Sequence, residues 1–231
     1  TVDDITYIRI RHGEGDSASG TAVLMKSATT EPDVIIPDAI KLDDDNISYK
    51  VNTISESAFI NNTKLFNLTI PEYVDSIGQK AFNGCSNIAY IISKVKKPFT
   101  INDNVFSITT PTLYVPVGSR VDYKNTDGWK KFTTIYEGEK KDTSVVDNGT
   151  EFSYEYATGD KIAILRGVTT TEEVVTIPES FALDGSTYYK VIAIGKSALK
   201  NKSSIKHLTI PSTIEKIGDN AFEGCNNVED I

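Results

Sequence analysis

The chain is poor in the residues that carry nucleophilic and acid–base chemistry: its 231 residues include two histidines, two cysteines, one methionine and one tryptophan. A cysteine nucleophile needs a basic partner, and His12 and His207 are the only imidazoles available. No apolar run approaches the ~20 residues of a membrane-spanning helix. Basic clusters are missing too, the densest being Lys94, Lys96 and Lys97 in a chain of net charge −8. A surface that tracks nucleic-acid phosphates or an anionic bilayer needs far more positive charge, so neither partner is expected. The opening residues, TVDDITYIRI, are acidic and strand-like and do not form a secretory leader.

Two stretches invite a ligand and fail on pattern. Asp43-Asp44-Asp45 lacks the alternate spacing, central glycine and distal glutamate of a calcium loop, and the second half of the chain offers only Asp184 in its place. The glycine-rich HGEGDSASG at 12–20 does not follow the phosphate-loop pattern and reads as a surface loop. No metal and no cofactor is expected. Carboxylates are scattered over turns without the pairing that glycoside hydrolysis needs, so the chain reads as a non-enzyme.

What the chain has is repetition. LTIPEYVDSIGQKAFNGC at 68–85 returns as LTIPSTIEKIGDNAFEGC at 208–225. Aligning 49–91 with 189–231 leaves 19 of 43 positions identical, which marks two copies of one unit. Upstream the offset becomes 141, so that Val34-Ile35-Ile36-Pro37 meets Val175-Thr176-Ile177-Pro178. A turn around Asp44–Asn46 in one copy and Asp184-Gly185 in the other absorbs the slip. Cys85 and Cys225 occupy the same position of the two copies, which argues against a bridge between them and for two buried thiols acting as small hydrophobes.

A shorter period lies inside the long one. Ile54, Ala58 and Phe59 return as Ile77, Ala81 and Phe82, and the step of 23 recurs from Ile194 to Ile217. A period of 20 to 30 residues rich in leucine and isoleucine predicts a solenoid whose coils share one core. Within a coil, Leu65, Leu68 and Ile70 predict a short inward-facing strand that Pro71 ends. Gly78 permits a tight bend, and Ala81 and Phe82 are placed on a short helical turn. TLYVPVGSRVDYKNTDGWKKFTTIYE at 112–137 predicts a cap, with a helix-capping box at Ser119 and Asp122 and bulk from Trp129, Phe132 and Ile135.

The domains expected are therefore 1–137, a repeat module with its C-terminal cap; 138–149, a hydrophilic linker; and 150–231, a second module opened by a hairpin at 150–165. The second module has no counterpart of Leu113–Pro116 or Trp129, so the chain is expected to continue past Ile231.

The pattern L-x-I-P-x-x-V-x-x-I-G-x-x-A-F-x-x-C, carried by 34–117 and 175–231, resembles the BspA-like leucine-rich repeat family, also called the Treponema pallidum-type repeat. Gly78, Ala81, Phe82 and Cys85 fall in its register, and Gly128-Trp129 matches the cap of bacterial members. The resemblance implies a leucine-rich-repeat solenoid of short strands and short helical turns, in two tandem right-handed modules. It also implies an exported bacterial surface protein used in adhesion, without enzyme activity.

The residue between the two apolar ones of each Leu-x-Ile-Pro strand is expected to face solvent. In module one that row reads Ile35, Thr69, Ile92 and Tyr114, with Tyr90 beside it; in module two it reads Thr176 and Thr209. An exposed row that is apolar and aromatic in one copy marks Ile35, Thr69, Tyr90, Ile92 and Tyr114 as the candidate ligand-binding residues. The expected partner is a protein or a glycan at the cell surface. The competing expectation is a structural spacer.

Overall fold

The structure is a computed structural model and describes residues 4–12, 19–41, 47–108 and 110–231. The aspartate run at 43–45 and the glycine-rich stretch at 13–18 lie outside the described residues. The chain divides into two compact units, Thr1–Gly138 and Glu139–Ile231.

Unit 1 opens with an antiparallel hairpin, β1 (Ile5–His12) and β2 (Ser19–Ser27). β2 pairs in parallel with β5 (Ser48–Ile54). The other side of β5 carries β4 (Ala39–Lys41) antiparallel and β7 (Ser76–Ile77) parallel. A second sheet is parallel throughout and takes one strand from each coil: β3 (Asp33–Ile35), β6 (Asn67–Ile70), β8 (Tyr90–Ser93), β9 (Thr112–Val115) and β10 (Ile135–Glu137). Its inner row is Val34, Leu68, Ile91, Leu113 and Ile135, in register from strand to strand and buried throughout. That row is the leucine and isoleucine period of the sequence made physical.

The side of the coils that carries Ala81 and Phe82 is not helical. Ser57, Asn61 and Lys80 have φ of 58°, 59° and 58°, a left-handed conformation that breaks a helix. Alternate amides along the turn then reach the next coil: Phe59 N–H donates to the Ala81 carbonyl and Asn61 N–H to the Asn83 carbonyl, both at 2.7 Å, and Phe82 N–H to the Val105 carbonyl at 2.9 Å. The rings stack behind these bonds, Phe59 on Phe82 and Phe82 on Phe106, both at 5.1 Å. The expected helical turn is therefore corrected to a ladder of left-handed turns.

Gly78 also has a different reason. A Cβ there would lie 2.3 Å from the Glu56 amide nitrogen, so the glycine lets two coils touch. Cys85 is buried, and its thiol donates to the Phe59 carbonyl at 3.1 Å. Cys225 makes the equivalent bond to Leu199 at 2.9 Å but is only half-buried, which corrects the expectation of two buried thiols.

The cap contains one short helix, α1 (Arg120–Asn125), and a 3-10 turn, Trp129–Lys131. Ser119 does not close a capping box; its hydroxyl donates to the Pro116 carbonyl at 2.6 Å. Its own backbone is already helical, at φ −104° and ψ −5°, whereas a capping serine is normally extended. Trp129 is fully buried between Phe106 and Tyr123, at 5.9 and 5.2 Å, and its indole N–H donates to the Phe99 carbonyl.

Unit 2 repeats the opening of unit 1. Its strands are β11 (Lys140–Asp147), β12 (Thr150–Ala157), β13 (Ile162–Thr169), β14 (Val174–Thr176), β15 (Ser180–Ala182), β16 (Tyr188–Ile194), β17 (His207–Thr209) and β18 (Lys216–Ile217). β12 and β13 correspond to β1 and β2 down to their irregularity, with register shifts at Thr6/Tyr7 and Ser153/Tyr154. Residues 140–147, expected within a linker, instead form β11, paired along its whole length with β12. Asn148 and Gly149, with φ of 46° and 77°, supply the two left-handed residues that a tight hairpin turn requires.

Candidate functional site

The outer face of the parallel sheet in unit 1 carries a second in-register row. Ile35 lies beside Thr69, Thr69 beside Ile92, Ile92 beside Tyr114 and Tyr114 beside Tyr136. Side chains alternate along a strand, so inward Leu68, Ile91 and Leu113 oblige their neighbours to point outward. Two positions earlier on each strand, on the same face, runs a more polar row, Asp33, Asn67, Tyr90 and Thr112.

Pointing outward is not the same as being accessible. Ile35, on the sheet's edge strand, is 69% exposed, whereas Thr69 is 9% and Tyr114 only 1% exposed. Tyr90 and Ile92 are half-buried. Tyr114 meets Tyr90 edge-on at 6.3 Å and Tyr136 at 5.9 Å. Strands about 4.8 Å apart hold adjacent tyrosines at van der Waals distance, so the central ring is covered by its neighbours. Of the five residues expected to be exposed, Thr69 and Tyr114 are thus support for Ile35, Tyr90 and Ile92. Tyr136 belongs to the row and was missed, because "TTIYE" lacks both the leucine and the strand-ending proline of Leu68–Pro71 and Leu113–Pro116. In unit 2 the equivalent pair is Thr176 beside Thr209, both exposed.

A hollow of about 410 Å³ opens beside β3. Its apolar lining comes from Ile5, Tyr7, Val34, Ile35 and Pro37, and the exposed carboxylates Asp4, Glu31 and Asp33 stand at its rim. A second hollow, of about 530 Å³, lies at the cap, where Lys130 pairs with Asp127 at 2.6 Å and Lys131 with Asp103 at 2.9 Å. Its charges are mutually compensated. Among the described residues, no group of three His, Cys, Asp or Glu side chains is placed to hold a metal ion. Burial pushes the Cys85 thiol up to about 11, against the opposing pull of the Asn62 amide, so at neutral pH it is a protonated packing group and no nucleophile.

The turns, the phenylalanine ladder and the Leu-x-Ile strands recur with the period that family comparison detects. The model of the BspA type leucine rich repeat region matches residues 38–125 and 184–231 in six copies, more than half of the chain. The chain belongs to this family. Among solved structures it is similar to a leucine-rich repeat protein of T. pallidum, at 14% identity and TM-score 0.31, over 99% of this chain and 68% of that one. It is also similar to a leucine-rich repeat protein of Bacteroides ovatus, at 18% identity and TM-score 0.35, over 99% of this chain and 45% of that one. A third is a leucine-rich cell surface protein of Faecalibacterium prausnitzii, at 18% identity and TM-score 0.30, over 100% and 75%. This chain thus spans less than half the length of the Bacteroides protein. No match was found among curated proteins.

Proposed function

We propose that this protein is a non-enzymatic binding module of a bacterial cell surface. In this reading it is two tandem right-handed solenoid modules, and the first recognises a protein ligand through the outer face of its parallel sheet. The observation that carries the reading is the in-register row in which Ile35, Ile92 and Tyr136, with Tyr90 alongside, stay accessible around a buried tyrosine. Rigid aromatic and aliphatic groups of this kind anchor protein interfaces, and packing against Tyr114 removes the rotamer entropy that docking would otherwise cost. Membership of a repeat family whose coils present one continuous face supports the same reading.

The test is adhesion of beads coated with the full chain to surfaces coated with extracellular-matrix proteins. Wild-type beads should adhere to at least one surface, and Tyr90→Ala combined with Ile92→Ser should abolish that adhesion. Adhesion to none, or adhesion unaffected by the double variant, would leave the chain as a spacer that holds other domains away from the cell.

A further inference from the structure

The two units differ at one edge. In unit 2, β12 is flanked by β11, and Val145 of β11 stands directly opposite Phe152. Directly opposed residues of an antiparallel pair share a face. Phe152 is 1% exposed, and Val145 packs against the same core. In unit 1, β1 is the terminal strand of its sheet, with β2 as its strand neighbour among the described residues. Ile5 is the counterpart of Phe152, since each lies opposite the equivalent residue of the next strand, Ser27 and Val168. The ground that Phe152 and Val145 fill in unit 2 is therefore floored in unit 1 by the smaller Ile5, and there the 410 Å³ hollow opens.

We infer that the β1 edge and the adjoining hollow of unit 1 form a docking site for an extended segment of a partner protein. That segment adds antiparallel to β1, as β11 does to β12, and places an apolar residue opposite Ile5. Its chemistry follows from the rim. Asp4, Glu31 and Asp33 are all exposed around the hollow, so the residues flanking the apolar one are lysine or arginine. The same charge disfavours a second copy of this chain, which carries a net −8. Strand addition supplies affinity through main-chain hydrogen bonds and specificity through side-chain pockets, and this site has both parts. The inference rests on the protein-binding reading above in taking a polypeptide as ligand.

The probe is a fluorescein-labelled peptide with the β11 sequence KKDTSVVD, alongside a version carrying lysine at the two positions that flank Val145, Ser144→Lys and Val146→Lys. Fluorescence anisotropy with the full chain should show the lysine version binding about fivefold to tenfold tighter, the effect of two exposed ion pairs. Glu31→Lys with Asp33→Lys should remove that preference. Methylating alternate backbone amides of the peptide, in one of the two possible phases, should abolish binding. Unchanged binding after rim reversal, or indifference to methylation in both phases, overturns the inference. So does sedimentation showing a dimer that the peptide dissociates, because the occupant would then be a second copy. Tyr90→Ala should leave probe binding intact, so failure of the strand-face reading and failure of this one are told apart.

Discussion

Phe82→Ala removes the middle ring of the Phe59–Phe82–Phe106 stack. Phe82 is fully buried and lies 5.1 Å from each neighbouring ring. Emptying such a site costs ~3–5 kcal/mol in a protein core, depending on how far the surroundings collapse. Here collapse is restricted. The backbone on either side is fixed by Phe59 N–H to Ala81 and Phe82 N–H to Val105, and a coil cannot move inward without breaking both bonds. The expected loss is therefore in the upper half of that range, ~4 kcal/mol. Trp129, the sole tryptophan, packs on Phe106 within unit 1, so its emission in a urea titration follows this unit. With a slope of ~2 kcal/mol per M, the midpoint of that transition should fall by ~2 M. A shift below a quarter of this would show that the rings do not share one rigid core, and the ladder argument would fail.

Three further outcomes follow from the same geometry. At pH 8 in the native state, a thiol reagent should modify Cys225 much faster than Cys85, because Cys85 is buried and raised to about 11; equal rates would refute the placement. Gly78→Ala forces a methyl group to within 2.3 Å of the Glu56 backbone and should reduce the stability read from the Trp129 transition by the ~1–3 kcal/mol typical of overpacking. Glu137 is partly desolvated, which raises its carboxyl, but the Arg120 and Gly118 amides and the Arg120 charge outweigh burial and hold it below its ordinary 4.5. A depressed carboxylate adds stability above its unfolded value, and that stability is lost as pH falls through the folded one. Glu137→Gln should therefore destabilise unit 1 at pH 7 and flatten its loss of stability below pH 4.5; parallel profiles would contradict this.

The repeat and most of its inner row were legible because burial leaves a period in the sequence: Leu68, Ile91 and Leu113 each announce a strand, whereas Ile135 reads as cap bulk until its pairing with Leu113 is seen. The turns were not, because Lys80 and Ser57 carry no local sign that their φ is positive. That conformation is imposed by the amides of Phe59 and Phe82 bonding to the next coil, at Ala81 and Val105, contacts 22 and 23 residues away. β11 was mistaken for a linker on its hydrophilicity, although Asn148-Gly149 is a hairpin signal and Val145 the one side chain that needed an inner face. The candidate surface was half legible. Alternation told which way Thr69 and Tyr114 point; only the neighbouring strands determine that both are covered.

The central claim is that recognition lies on the outer row of unit 1 and not on its threonine counterpart in unit 2. The most direct measurement compares two full-length variants by surface plasmon resonance against the matrix protein to which wild-type beads adhere. One carries Ile35→Ser, Tyr90→Ser and Ile92→Ser; the other carries Thr176→Ala and Thr209→Ala. Loss of more than tenfold in affinity for the first, with the second equal to wild type and both showing the wild-type Trp129 transition, is the result predicted. Equal affinity for the two variants, or loss confined to the second, would contradict it.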